Sequence, residues 1–260
     1  MELVLIGLIA FLASGLTLFS GFGLGTALMP VFALLFPVPL AIAATAVVHF
    51  ANNIFKFGLM AKCANWRVVA RFSIPATLTA LAGALLLNMF DQMPLIASYS
   101  LSGLTFDITV VKATIGFLIV LFALLELSPW FQELVLPPRW LPFGGALSGF
   151  FGGLSGNQGA LRSAFLITAG LTKEAFVATS VVSSVLVDAT RLIVYGTGFL
   201  SAHFTKSQEL IIPVIVGTIC ALAGTFVGKR FLQRVTLRVV RVTVAAAMLL
   251  IGLGLLAGFV

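Results

Sequence analysis

Long apolar stretches, separated by short polar or glycine-containing breaks, dominate the hydrophobic pattern of the chain. These stretches are apolar on every face, as lipid-buried helices require, whereas the strands of a membrane barrel would alternate apolar and polar positions. The pattern therefore predicts membrane helices. Ten candidate segments lie at residues 3–19, 24–36, 39–60, 72–88, 110–127, 143–153, 158–170, 174–198, 210–228 and 240–259.

Two of these segments, 24–36 and 158–170, are too short to cross a bilayer. Each has 13 residues, which span roughly 20 Å as a helix, whereas the hydrocarbon core is roughly 30 Å thick. We therefore expect two broken, re-entrant helical hairpins, at 3–36 and 143–170, each followed by three full spans. The alternative is that each hairpin region crosses the membrane as one kinked helix or as two tilted spans.

The order of segments repeats between the two halves of the chain, which indicates a diverged internal duplication. An offset of 135 residues superposes polar positions as well as apolar ones: Ser20 on Ser155, Asn53 on Asp188, and Lys56 on Arg191. Repeat 1 would cover residues 1–127, with spans at 39–60, 72–88 and 110–127. After a connector at 128–142, repeat 2 would cover 143–260, with spans at 174–198, 210–228 and 240–259.

Equivalent loops of the two repeats differ in charge. The loop at 61–71 carries three basic residues and no acid, whereas its counterpart at 199–209 balances one lysine with one glutamate. The connection at 89–112 holds two aspartates, whereas its counterpart at 228–241 holds five basic residues. Because basic loops stay on the cytoplasmic face, equivalent loops are expected on opposite faces, so the repeats would have inverted topology.

Composition agrees with a membrane protein. Hydrophobic residues make up 60% of the chain and charged residues 9%, outside the usual range of soluble domains. The net charge of +7 follows from basic loops, so no nucleic-acid partner is expected. We predict an all-α polytopic membrane protein with two inverted-topology repeats, each a broken or re-entrant hairpin plus three transmembrane helices. No catalytic or metal-binding motif is visible, so we expect no enzymatic activity, cofactor or metal.

Two glycine-rich breaks would lie at the tips of the hairpins, near the middle of the membrane. They are "SGFGLG" at 20–25 and "SGNQG" at 155–159. A helix that begins at such a tip presents unpaired backbone N–H groups and the positive end of its dipole, which together favour an anion. In the second tip, the helix is expected to begin at Asn157, with Ser155 or Asn157 as its cap. The candidate substrate-binding residues at the tips are Ser20, Gly21, Gly23, Ser155, Gly156, Asn157 and Gln158.

Arg162 is the strongest single functional signal. It is the only formally charged residue between positions 140 and 172. An arginine at that depth is costly unless it pairs or faces water, so we favour substrate binding over a packing role with Asp188.

Further candidates lie on the first span of each repeat. Asp188 and Arg191 are three residues apart, so a local ion pair is as well supported as a role of Arg191 in substrate binding. Asn53 and Lys56 are also candidate substrate ligands, although Asn53 could bond between helices and Lys56 could extend to the cytoplasmic surface. His49 and Asp188 are candidates for ion coupling, and a structural, hydrogen-bonded His49 is the favoured alternative.

Four stretches of the chain are "SGFGLGTALMPVF", "HFANNIFK", "FFGGLSGNQGALRSAFL" and "GLTKEAFVATSVV". They resemble the characteristic regions of the sulfite exporter TauE/SafE family, also called the toluene-sulfonate uptake permease family. The resemblance covers residues 10–258. It implies a multi-pass secondary transporter of sulfur-containing anions, such as sulfite, sulfoacetate or related organosulfonates, in a prokaryotic cytoplasmic membrane. It also implies that Asn157, Gln158 and Arg162, and with less weight Asn53 and Lys56, contact the substrate.

These features together predict an alternating-access transporter with a central anion site. Export is the favoured direction, because an inside-negative potential drives anions outward by about 2.3 kcal/mol per charge per 100 mV. A passive anion channel could use the same site, and an intramembrane enzyme or scaffold is the least favoured alternative. The expected partners are a small sulfur-containing anion and the lipid bilayer, and homo-oligomerisation is left open.

Overall fold

The computed structural model describes residues 1–16, 24–101, 103–134, 136–202, 208–231 and 237–259, with side chains for all of these except 16 and 229–241. The long elements are α1 (Glu2–Leu16), α2 (Leu24–Ala33), α3 (Val38–Met60), α4 (Trp66–Asp91), β1 (Leu95–Leu101), β2 (Leu104–Thr109), α5 (Val110–Leu127), α6 (Leu141–Ser155), α7 (Gly159–Leu166), α8 (Lys173–Thr197), α9 (Ile211–Phe231) and α10 (Leu237–Leu256). Short helical turns lie at Ala61–Cys63, Pro129–Gln132, Pro138–Trp140, Ile167–Ala169 and Phe199–Ala202.

The all-α polytopic fold is confirmed. Within the described residues, five helical stretches are long and apolar enough to cross a membrane: Val38–Cys63, Trp66–Asp91, Val110–Leu127, Lys173–Ala202 and Ile211–Gly228. They coincide with five of the six predicted spans. The sixth, predicted at 240–259, falls on α10, whose described side chains begin at Val242.

One predicted span begins earlier than the hydropathy suggested. The prediction started it at residue 72 because Arg67 and Arg71 interrupt the apolar run. In the structure α4 begins at Trp66, where the side chain of Asn65 accepts a hydrogen bond from the backbone N–H of Val68. This N-cap satisfies one of the unpaired donors of the first turn, so the helix starts within the basic segment.

The helices of the two predicted hairpins are short. α2 has 10 residues and α7 has 8, which correspond to about 15 and about 12 Å of helix at 1.5 Å per residue. Each follows a 15-residue helix, α1 or α6. The half-helices expected at 24–36 and 158–170 are therefore present, while their re-entry into the membrane stays a prediction.

The two halves of the chain exchange packing partners. α1 of the first half lies along α9 of the second, and α6 of the second half lies along α4 of the first. The equivalent spans α3 and α8 pack together, as do α5 and α10. A duplicated chain would produce this reciprocal pairing, and the repeat boundaries and inverted topology stay predictions.

Close contact between α6 and α4 depends on glycines spaced four residues apart. A Cβ atom at Gly145, Gly149 or Gly153 would lie 2.1, 1.9 or 2.1 Å from a carbonyl oxygen of α4. The facing carbonyls are those of Phe72, Ala76 and Ala80. Such small-residue stripes let membrane helices approach backbone to backbone, so no side chain can be added there without separating the helices.

The contact between α1 and α9 follows the same principle and adds a polar connection to α3. A Cβ at Gly224 would lie 2.1 Å from the carbonyl oxygen of Phe11. The hydroxyl of Thr225 lies 2.6 Å from that of Ser14 and donates to Asn52 Oδ1 at 2.7 Å. This chain of buried hydrogen bonds joins three helices, as expected of small polar residues in membrane proteins.

A β-hairpin in the connection at 89–112 was not predicted. β1 and β2 pair antiparallel, and Gly103 has a positive φ of 82° in the turn. The hairpin lies beside the chain's C-terminal end, where Tyr99 donates to the Ala257 carbonyl and Phe106 stacks edge-on with Phe259. The short apolar runs of this segment, on either side of a Ser-Gly pair, are typical of a hairpin, although only its charge entered the prediction.

We expect Gly149→Ala to destabilise the protein by about 1–3 kcal/mol, because the added methyl group must displace the backbone of Ala76. The apparent melting temperature of the detergent-purified protein measures this. Gly58→Ala is the matched control, since a Cβ there meets nothing within 4 Å. Equal stability of the two variants would contradict the close contact between α4 and α6.

Candidate functional site

A group of buried polar and charged side chains lies where α3, α8 and the turn between α6 and α7 meet. We call it the central cluster, and each member is at most 9% exposed. Charged groups at this depth in a membrane protein normally serve a function. The members are His49, Asn53, Lys56, Asn157, Gln158, Arg162, Asp188 and Arg191.

Helical spacing brings these side chains to the meeting point. His49, Asn53 and Lys56 follow one another at intervals of four and three residues, so they lie on one face of α3. The neighbouring Asn52 faces a different way and bonds to Thr225, as described above. On α8, Asp188 and Arg191 share the face that packs toward α3.

Asp188 connects the three parts of the cluster. It is fully buried, and its Oδ2 lies 2.6 Å from His49 Nδ1. Its Oδ1 accepts from Gln158 Nε2 at 3.2 Å, from Arg191 Nε at 3.0 Å and from Arg191 Nη2 at 2.7 Å. The ion pair suggested by the spacing of Asp188 and Arg191 is present, and the same carboxylate also binds α3 and the tip of the second hairpin.

Asn53 completes the hydrogen bonding of His49. Its Nδ2 lies 3.1 Å from His49 Nδ1 and 3.3 Å from Nε2, one helical turn away. The imidazole is therefore held between an amide of its own helix and a carboxylate of α8. His49 is hydrogen-bonded, as the structural alternative expected, and its contact with Asp188 keeps the pair a candidate for coupling.

Arg191 and Tyr195 bind the C-terminal end of α6. Arg191 Nη1 donates to the Gly152 carbonyl at 3.3 Å, and the Tyr195 hydroxyl donates to the Gly153 carbonyl. The Gly152 carbonyl also accepts from the backbone N–H of Gly156 at 3.1 Å, and the last carbonyls of a helix need such partners from outside the regular ladder, so these donors stabilise the turn that follows. Tyr195 was not predicted from the sequence, although it lies one helical turn after Arg191 and a buried tyrosine hydroxyl needs a partner.

The turn after α6 depends on Gly156. This residue has φ 80° and caps the helix in the left-handed conformation, which glycine adopts without steric cost. A Cβ at Gly156 would lie 3.0 Å from Arg191 Nη1. The close approach of the guanidinium is a second reason for glycine at this position.

The first hairpin reaches the same place. A Cβ at Gly25, in the first turn of α2, would lie 3.7 Å from His49 Cδ2 and 3.8 Å from the Gly156 carbonyl oxygen. The start of α2 is therefore next to the second tip. The predicted ligands Ser20, Gly21 and Gly23 lie outside the described residues.

The start of α7 differs from the expectation. The sequence suggested a helix beginning at Asn157 with Ser155 or Asn157 as its cap, but α7 begins at Gly159 and its N-cap, Gln158, makes no side-chain cap bond. The Ser155 hydroxyl accepts from the Asn157 N–H at 3.4 Å and donates to the Phe151 carbonyl at 3.0 Å, so it does not cap α7. The first turn of α7 therefore keeps N–H groups that no side chain of the described residues caps.

The central cluster carries an excess of positive charge. Lys56, Arg162 and Arg191 contribute three positive charges and Asp188 one negative charge, which leaves two positive charges when His49 is neutral. Arg162 is attracted by Asp188 and repels Lys56. A buried excess charge is costly unless a counter-charge is supplied, so the cluster has the electrostatics of an anion site.

Donors as well as charge are available to an anion. Asn157 is 3% exposed, and its Nδ2 has no hydrogen-bond partner in the described part of the chain. A metal is not suggested by the residues present, since the described residues contain no group of three or more His, Cys, Asp or Glu that could hold one. The arrangement can therefore bind an anion through guanidinium, ammonium and amide donors.

The model of the sulfite exporter TauE/SafE family matches residues 5–255. The chain therefore belongs to this family. Comparisons with curated proteins and with solved structures found no match.

We expect Asp188→Asn to destabilise the protein by about 3–5 kcal/mol, because it leaves the buried charge of Arg191 without its carboxylate partner. The double variant Asp188→Asn/Arg191→Gln should recover part of this loss. Thermal unfolding in detergent measures both, with Asp107→Asn as the control at an exposed acid. A single variant as stable as the control would contradict the structural role of the pair.

Proposed function

We propose that this TauE/SafE family member is a secondary transporter of small sulfur-containing anions and that the central cluster is its substrate site. Membership of a family of sulfite exporters supports a sulfur-containing anion and a membrane location. One observation supports the site most strongly. The buried cluster has a net charge of +2 and lies beside the first turn of α7, where an anion would be favoured. Sulfite, sulfoacetate and related organosulfonates are the substrates with which these features agree best.

The members of the cluster would divide into two roles. Arg162, Lys56 and Asn157 would donate to the anion together with the N–H groups of α7. Gln158 and Arg191 already donate to Asp188, so they would shape the site and hold the tip. Gly156 and Ser155 would form the turn, and Ser20, Gly21 and Gly23 would complete the site from the first hairpin.

Alternating access would use the packing units of the fold. The glycine contacts make α4 and α6 one closely packed pair, and α1 and α9 another. Movement of one pair against the other would be centred on the cluster, where α3 meets α8 and both hairpins converge. The bonds of Asp188 to His49 and Gln158 cross between these parts, so they would rearrange as access changes sides.

Export would be the natural direction in a prokaryotic cytoplasmic membrane. An inside-negative potential favours the exit of a dianion by about twice 2.3 kcal/mol per 100 mV, so export needs no coupled ion. Uptake would need one, and the pair of His49 and Asp188 would be its candidate carrier. A passive anion channel with the same site is the alternative that transport measurements must separate from this proposal.

We expect Arg162→Ala to abolish anion binding while the protein remains folded. Ligands that bind the native state raise its melting temperature as their concentration passes the dissociation constant. Thermal shifts would be measured with sulfite, sulfoacetate, taurine, sulfate and thiosulfate, with chloride and a neutral sugar as negative ligands. Arg71→Ala, at an exposed arginine, is the matched control. Unchanged shifts in Arg162→Ala would remove this residue from the site.

We also expect transport in proteoliposomes to saturate with substrate and to show counterflow. In an alternating-access transporter, unlabelled anion inside the vesicles drives the uptake of labelled anion, because each cycle exposes the site to one side. Radiolabelled sulfite would be used, with Arg162→Ala as the inactive control. Flux that rises linearly without counterflow would support the channel instead.

A further inference from the structure

We propose that the central cluster selects dianions over monoanions of the same shape, and that Lys56 determines this selectivity. The proposal rests on the proposed function, because it concerns the charge of the anion bound at that site. Lys56 and Arg191 occupy equivalent positions of the two predicted repeats, but only one of the two cations has a carboxylate beside it. The difference between these positions leaves a positive charge for the ligand to neutralise.

On α8, the cation is neutralised locally. Asp188 lies three residues before Arg191, and two of the arginine's nitrogens donate to its Oδ1. The pair is buried, with Arg191 1% and Asp188 0% exposed. Arg191 therefore needs no charge from a ligand.

On α3, the equivalent position to Asp188 is Asn53, which carries no charge. Asn53 lies three residues before Lys56, and its amide Nδ2 lies 3.3 Å from His49 Nε2. In the described part of the chain, the charged group that acts on Lys56 is Arg162, which repels it. The residues outside the described part, 17–23, 102, 135, 203–207, 232–236 and 260, contain no Asp or Glu, and neither does 229–241, whose side chains are not described. Among the described residues, no carboxylate therefore compensates Lys56.

Lys56 does not reach the outer surface of the protein. Its exposure is 6%, whereas its neighbours on the same turns, Phe55 and Phe57, are each 37% exposed and Leu59 is 65% exposed. The alternative that Lys56 extends to the cytoplasmic surface predicts an exposed side chain. The lysine is instead buried, on the face of α3 that carries His49 and Asn53.

A dianion would match this arrangement. With three cations and the carboxylate of Asp188, the described members of the cluster have a net charge of +2 when His49 is neutral. In an interior of low dielectric constant, a net charge costs more than in water, so a ligand with two negative charges is bound better than one with a single charge. Lys56 is the cation that would attract the second negative charge of a bound dianion.

Sulfate and methanesulfonate test the proposal directly. Both are tetrahedral, and a methyl group replaces one charged oxygen, so they differ mainly in charge. Sulfoacetate and 2-hydroxyethanesulfonate form a second pair of similar size that differs by one charge. Dissociation constants would be measured by titration calorimetry, or from thermal shifts at fixed pH and ionic strength, for the full chain in detergent.

In the wild type we expect the dianion of at least one pair to bind at least about tenfold more tightly than its monoanion. Lys56→Met should reduce this preference to less than about threefold, mainly by weakening the dianion. Lys56→Arg should restore it. Lys62→Met, at an exposed lysine, should leave it unchanged.

Asn53→Asp is the second, independent variant, because it keeps Lys56 and creates the arrangement that Asp188 and Arg191 have on α8. We expect it to bind monoanions about as well as dianions. If it folds and retains the full wild-type preference for the dianion, the proposal is wrong. The same conclusion follows if Lys56→Met is folded and keeps that preference.

Failure of this inference is distinguishable from failure of the proposed function. If wild type binds both members of each pair equally, charge selection is wrong and the anion site stands. If no sulfur-containing anion stabilises or binds the wild type, the proposed function fails, and the inference fails with it.

Discussion

The geometry of the candidate site depends on the burial of one carboxylate, that of Asp188. An ionised carboxylate away from water is stable only when cations compensate its charge and donors satisfy both oxygens. One partner comes from α3 (His49), one from α8 (Arg191) and one from the turn between α6 and α7 (Gln158). Because the partners come from both halves of the chain, the carboxylate fixes how the halves meet in this conformation. Any movement that opens the site must exchange some of these bonds.

Close packing of helix backbones lets the two halves of the chain approach each other at Asp188. The glycines of α6 allow the helix to lie directly on α4, and this position brings its last carbonyls within reach of Arg191 and Tyr195. The same two residues therefore connect the packing of the bundle with the shape of the tip. Gly156 then turns the chain next to Gly25 at the beginning of α2, and Gly25 in turn lies close to His49. If the central cluster is the substrate site, stability and function would share these residues, as they do where binding sites are built from broken membrane helices.

The sequence predicted the features that are local or that follow from apolar length. The long helices, the two half-helices and the pairing of Asp188 with Arg191 depend on runs of hydrophobic residues or on helical spacing. The contact between His49 and Asp188 joins residues 139 positions apart, and the bond from Tyr195 to Gly153 joins two helices, so no local pattern determines either. The start of α7 was mispredicted because Ser155 and Asn157 are good cap residues by type. The left-handed turn at Gly156 moves the start of the helix to Gly159, beyond both of them.

The first spans of the two halves, α3 and α8, differ in charge. This difference is the feature of the fold that would let the proposed site select among anions. In a duplicated fold with identical halves, both first spans would carry either a neutral pair or a lone cation. Here α8 carries Asp188 with Arg191, whereas α3 carries Asn53 with Lys56. The first arrangement holds the protein together, because its charges satisfy one another. The second cannot do so, since its ammonium is buried beside a like charge. One half thus supplies structure and the other supplies uncompensated charge, and an anion that binds between them would satisfy both halves at once.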